Sequence, residues 1–206
     1  MTRLIGLDPS MVSPGVAEVR DRRLVRAARL RMSGDAHTTI LDASPRLSPD
    51  DLFHRLTRIA PSMTDALSDA ARCRATASAI LDWVYSGQGL DWDLVTETPQ
   101  VYAPGRRGAG PPNDLIPMAL VIGGVALACP GQVSEYHPGQ WTGQLAKSRA
   151  GDPRDSPRGA RIWSRLDEGE REVAAGCLQH DAWDAIGVLL HHLGRLAPRR
   201  GRKPCT

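Results

Sequence analysis

Two short apolar runs, Leu4-Ile5-Gly6-Leu7-Asp8 and Leu94-Val95-Thr96-Glu97, each carry an acid at the end. Both read as buried strands. The first closes into a loop at Asp8-Pro9, and the second, LVTETPQVY, is stopped by Pro99. So short and apolar a first strand belongs at the centre of its sheet. Acids are rarely buried unless they are paired or bind a metal, so their position at these strand ends calls for a reason.

A third place raises the same question. The segment HDAWDAIGVLLHHLG, residues 180 to 194, reads as a helix that opens with Asp181 and Asp184 and continues through six uncharged residues. Two readings stand side by side. In the first, Asp181 caps the helix, both acids complement its dipole, and they point to solvent, away from a stripe of Trp183, Ile186, Leu190 and Leu193. In the second they are ligands, and as close carboxylates they repel one another until a cation arrives.

The other elements follow from periodicity and turn chemistry. Residues 15–20 and 23–31 form a hairpin around Asp21-Arg22, and HTTILD is a further strand. Ser48-Pro49-Asp50-Asp51 starts a helix that runs, with a break at Pro61, to about Tyr85. Residues 104–112, PGRRGAGPP, form a basic loop. An apolar helix capped by Asn113, with Pro117 in its first turn, leads to the strand GQVSEYHP. RGARIWSRLDEGEREVAAGC is read as one amphipathic helix with Ile162, Leu166 and Val173 on its apolar face. The order is a β-meander, then alternating helix and strand, then helices: an α/β chain with a mixed sheet.

At 206 residues the chain is long enough for one domain with a full core. Residues 1–196 are assigned to that domain, and 197–206 to a basic tail holding Arg199, Arg200, Arg202 and Lys203. The tail is either a solvated end or a DNA-contacting arm. A net charge of +3 permits nucleic acid as a partner without demanding it. Cys73, Cys129, Cys177 and Cys205 show no zinc spacing, and Cys129 and Cys177 are expected in the core. No signal peptide and no membrane span are expected. The expected compartment is therefore a reducing cytoplasm.

Three or four carboxylates without histidine or cysteine ligands suit hard cations, above all Mg²⁺ or Mn²⁺. Two such ions about 4 Å apart activate water and stabilise the leaving oxygen of a phosphodiester. Here the order of motifs resembles the RNase H-like superfamily, and within it the RuvC-like Holliday-junction resolvases. The resemblance is carried by IGLDPS with Gly15, TETPQVY, ALVIGGVALA, VSEYHPGQW and DAWDAIGVLLHHL, over roughly residues 3–196. It implies an α/β fold with a mixed central sheet of about five strands flanked by helices. It implies a homodimeric, Mg²⁺-dependent endonuclease cutting branched DNA, with two ions per site held by Asp8, Glu97, Asp181 and Asp184. Lys147 resembles a phosphate-contacting lysine of relatives and reads equally well as a solvated one. His180 reads as a helix-flanking histidine before a base or phosphate contact. Arg106, Arg107, Arg199 and Arg200 complete the expected nucleic-acid contacts.

The chain departs from the typical pattern. The segment WTGQLAKSRAGDPRDSPRGARIWSRL replaces a Gly-rich basic stretch, APGRRGAGPP replaces an aromatic-bearing loop, and residues 35–75 form a longer segment than usual. These features resemble divergent members from phages and mobile elements, which implies the cytoplasm of a bacterial or phage-infected cell. Alternatives are the same fold acting on flapped DNA or on structured or precursor RNA, or a non-catalytic nucleic-acid-binding module. A sugar-kinase-like fold, suggested by GLDPSMVSPG, is excluded by the length of the chain.

Overall fold

The structure is a computed structural model and describes residues 3–10, 13–32, 38–43, 69–87, 89–99, 115–142 and 152–196. Its elements are β1 (Arg3–Asp8), β2 (Gly15–Arg20), β3 (Arg23–Met32), β4 (Thr38–Ala43), α1 (Asp69–Ser86), β5 (Asp93–Glu97), α2 (Leu115–Ala128), β6 (Val133–Tyr136), α3 (Pro138–Trp141), a 3₁₀ turn (Pro153–Asp155), α4 (Pro157–Trp163), α5 (Glu168–Ala175) and α6 (His180–His192).

The strands form one six-stranded sheet in the order β4-β3-β2-β1-β5-β6. The meander β1 to β4 is antiparallel, and β5 and β6 run parallel to β1. Five strands in the order β3-β2-β1-β5-β6, with β2 reversed, make the RNase H-like sheet; β4 extends its edge. The first strand is central, as its apolar sequence requires. The hairpin turn at Asp21-Arg22 takes positive φ at both residues, 49° and 67°, the geometry that matches the twist of the two strands.

Alternation along the strands divides the core into two layers. Ile5, Leu7, Val16 and Leu94 face α1 and α2. Leu4, Ala17, Ala27 and Val95 face α6 and its neighbours α4 and α5. A bulge between Glu18 and Val19 shifts the pairing with β3, so Leu24 and Ala27 both reach the α6 face.

Helix α6 is buried all round: every residue from Ala182 to Leu190 is inaccessible. Two glycines let it sit directly on the sheet. A Cβ on Gly6 would stand 2.6 Å from the Ala185 carbonyl oxygen, and one on Gly15 would overlap the Asp181 carbonyl. Glycine is needed at both places because backbone meets backbone.

The expected single helix over residues 158–177 is two helices. Asp167 caps α5 and accepts from the Glu170 amide, while the Glu170 carboxylate returns to the Asp167 amide. That reciprocal box starts a new helix and ends the continuity with α4. Ile162, Leu166 and Val173 are nevertheless all buried. Among the cysteines, Cys73 and Cys177 are core residues, whereas Cys129 is only half-buried. The expected helix start at Ser48, its break at Pro61 and the cap Asn113 lie outside the described residues. Among the described residues no helix is long and apolar enough to cross a membrane.

Two buried acids clamp the frame. Glu18 is fully buried and ion-paired with Arg3, Arg20 and Arg26. Arg3 and Arg26 also donate to the Val84 carbonyl at the end of α1, where orphan helix carbonyls favour cations. Glu170 accepts from the Leu24 amide at 2.9 Å and from Arg195 at 2.7 and 2.6 Å. Burial alone would raise both carboxyls. The Arg3 hydrogen bond and the Arg26 charge at Glu18 outweigh it, as does the Arg195 hydrogen bond at Glu170, so both titrate below the ordinary glutamate value.

A folded-state value below the unfolded value of about 4.3 means that the stabilisation is complete above that pH. It is lost as pH falls through the folded-state values. Urea midpoints of the wild type should therefore be level from neutral pH to about pH 5 and fall below about pH 4.3. Glu170→Gln should show a shallower fall over the same range. In a second test, Gly15→Ala should lower stability by about 3 kcal/mol in urea melts, because the new methyl must push α6 off the sheet.

Candidate active site

One row of residues crosses the sheet on the α6 side. Arg29 on β3 pairs with Gly15 on β2, and Gly15 with Asp8 on β1. Asp8 and Glu97 stand one step past the last paired residues of the parallel strands, Leu7 and Thr96. Glu97 in turn pairs with Tyr136 on β6. Leu4, Gly6 and Asp8 alternate onto one face, as do Val95 and Glu97, so the two acids end neighbouring strands on the same face. The carboxyl ends of parallel strands at a reversal of strand order are where open α/β sheets place their sites.

The start of α6 lies over this row. The Asp181 backbone rests against Gly15, which brings Asp181 and Asp184 to the end of the sheet where Asp8 and Glu97 stand. Trp183 anchors the turn between them: its Nε1 donates to the Cys177 carbonyl at 2.7 Å, and its ring stacks on Trp163 at 6.0 Å.

The capping reading of Asp181 is overturned. The N-cap is Gln179, which makes no side-chain cap bond, and Asp181 lies inside the helix. Its Oδ2 instead accepts from Ser13 Oγ at 3.1 Å. Arg29 Nε also lies 3.1 Å from Asp181 Oδ2, as an ion pair without hydrogen-bond alignment. The expectation that Asp184 faces solvent is also overturned, since it is 1% exposed. Arg158, the second residue of α4, donates from Nη1 to Asp184 Oδ1 at 3.1 Å and to Oδ2 at 3.3 Å. The same guanidinium lies 5.5 Å from the centre of the Trp141 ring.

The all-oxygen donor set has the chemistry of a hard-cation site, but this arrangement does not form one. Among the described residues, no three acids, histidines or cysteines stand close enough to hold a metal ion. Among the described residues, guanidinium groups meet the carboxylates of Asp181 and Asp184. The expected repulsion between Asp181 and Asp184 is thus replaced by attraction to arginines.

Sequence reasoning missed Ser13, Arg29 and Arg158. Arg29 carried a usable signal, since it alternates with Ala27 on the buried face of β3. Arg158 carried little, because its reach to Asp184 depends on how α4 packs against α6. His180 is the half-buried first residue of α6. Arg106, Arg107, Lys147, Arg199 and Arg200 lie outside the described residues.

No family model matches the chain, and no curated protein matches it. Among solved structures it is similar to Thermus thermophilus RuvC. One is RuvC in complex with a Holliday junction substrate, with a TM-score of 0.47 and 14% identity, covering 95% of this chain and 98% of that one. Another is the Thermus thermophilus RuvC structure, with a TM-score of 0.46 and 14% identity, covering 94% and 98%. The fold itself rests on the strand order and directions given above.

Because Asp184 is buried and paired, Asp184→Asn should destabilise the protein in EDTA by about 1–3 kcal/mol. Had the two acids repelled one another, the same change would be stabilising. Urea melts of the two proteins in EDTA give the sign.

Proposed function

We propose that the chain is a structure-selective endodeoxyribonuclease of the Holliday-junction-resolvase type, cutting phosphodiesters in branched DNA. The observation that supports this most is the convergence of Asp8, Glu97 and the α6 start on one end of an RNase H-like sheet. Asp8, Glu97, Asp181 and Asp184 are the proposed ligands for Mg²⁺ or Mn²⁺; holding an ion requires them to draw closer together than they stand here and requires the arginine pairs at Asp181 and Asp184 to open. The chemistry such ions supply is the activation of water and the stabilisation of a leaving oxygen. The chain's own part is to place carboxylates at the ends of two neighbouring strands and at the start of α6. The Thermus thermophilus RuvC structure with a Holliday junction substrate supplies the substrate class for the proposal. Arg106, Arg107, Lys147, Arg199 and Arg200 are proposed to contact phosphates.

A homodimer is part of this reading. Helix α2 carries no charged residue, and Ile116, Leu120 and Leu127 stand exposed along it. A second copy of the chain is the proposed cover for that stripe.

A second reading has a specific observation in its favour. The arginine pairs at Asp181 and Asp184 suit a non-catalytic module that only binds nucleic acid. Incubation with labelled four-way junctions, flaps and linear duplex in Mg²⁺ separates the two. The wild type should cut the junction in preference to duplex, and Asp8→Asn and Glu97→Gln should reduce cutting by at least about 100-fold while binding persists. Wild-type protein that binds junctions yet cuts none of the substrates would select the binding module; near wild-type cutting by Asp8→Asn would remove the site assignment.

A further inference from the structure

This inference rests on the reading that the chain binds branched DNA, and it concerns the end of the sheet away from the four acids. Asp8 pairs with Gly15 and Arg3 with Arg20, so the β2–β3 turn at Asp21-Arg22 lies at the far end of β2 from Gly15. Six residue steps along the strand set the two ends about 20 Å apart.

Arg22 is the odd residue of that turn. Both central residues are left-handed, with φ of 49° at Asp21 and 67° at Arg22, and the favoured pairs for such a turn are Asp-Gly and Asn-Gly. Aspartate tolerates the left-handed region, whereas a long side chain such as arginine enters it at a cost. The fold offers little in return. The Arg22 carbonyl accepts from Arg195 at 3.2 Å, which the backbone of any residue would do. The Arg22 side chain donates to the Leu193 carbonyl at 3.2 Å in an exposed bond, and a bond exchanged so readily for water gains little. A strained residue that the hairpin does not require is a pointer to function.

The surroundings of Arg22 suit an anion. Arg23 is 72% exposed beside Asp167, and Arg20 is 31% exposed over Glu18, which Arg3 and Arg26 also neutralise. Carboxylates stand here too: Asp21 in the turn, Asp167 and Glu168 at the start of α5, and Glu170 with Arg195. The arginines already match them. Arg195, bonded to this turn, then leads into residues 197–206, which add Arg199, Arg200, Arg202 and Lys203 and no acid. Their charge is surplus.

We propose that Arg22, with the cations of residues 197–206, forms a second DNA contact, which binds the phosphates of a duplex arm at the end of the sheet opposite the acids. A duplex spans about 20 Å in roughly six base pairs. Contacts of this kind read no base pattern and act through affinity.

Fluorescence anisotropy of a labelled linear duplex and a labelled four-way junction, over a series of salt concentrations, tests this, with thermal melts beside it. Arg22→Gly should melt at or above wild type, because glycine relieves the left-handed strain. It should nevertheless make the slope of log affinity against log salt shallower by about 1 on both DNAs. Arg22→Lys should keep the wild-type slope. Glutamine in place of Arg199, Arg200, Arg202 and Lys203 together, in the full chain, should make the slope shallower by about 2 or more, and it serves if Arg22→Gly does not fold. Wild type that binds both DNAs, beside Arg22→Gly and glutamine variants with its slope, overturns the second contact and leaves the proposed function standing. Arg22→Gly that melts below wild type with an unchanged slope makes Arg22 a cap on the end of α6 and also overturns it. Wild type that binds neither DNA removes the proposed function, and this contact with it.

Discussion

The seating of α6 on the sheet is the contact on which the rest depends. Backbone meets backbone at Gly6 and Gly15, closer than any side chain would allow. Because α6 is buried on every side, it cannot rotate without exposing or overpacking apolar residues, and interiors packed to crystal density resist such shifts. The helix start is therefore held against the start of β2, beside the end of β1. Asp181 and Asp184 inherit their positions from that contact, as does the reach of Arg29 and Arg158 toward them.

Charge is distributed unevenly along the sheet. On the α1 side, near the start of β1, Glu18 sits among Arg3, Arg20 and Arg26 and ties the sheet to the last turn of α1. On the α6 side, at the other end of β1, the described residues carry the opposite balance: Asp8, Glu97, Asp181 and Asp184 beside Arg29 and Arg158. Glu18 is fully buried, more so than Asp8 or Glu97, yet its surroundings mark it as structural. Burial of an acid in an apolar strand is therefore no guide to metal binding by itself. What separates the two ends is the number of carboxylates the topology brings to each.

The pair at Asp184 has an energetic consequence. A carboxylate buried as deeply as Asp184 costs several kcal/mol if left uncompensated, and Arg158, brought in by the packing of α4 against α6, supplies compensating charge.

Much of this protein was legible in its residues. Apolar runs without interruption, closed by Asp8-Pro9 and by Glu97 with Pro99 nearby, identify buried strands because only burial on both faces tolerates them. Asp21-Arg22 between alternating runs defines the hairpin, and the motif order leads to the RNase H-like sheet. Local signals were also overlooked: the box from Asp167 to Glu170 ends one helix and begins another through contacts within four residues. Other features belong to the tertiary structure alone. That Asp184 is buried, that Glu18 gathers three arginines, and that Arg29 and Arg158 meet the acids of α6 all depend on contacts between residues far apart in the chain. Periodicity reports which face of an element is apolar. It says nothing of which distant charge will be brought against an acid on that face, because that is settled by how helices and sheet pack once the apolar faces have been buried.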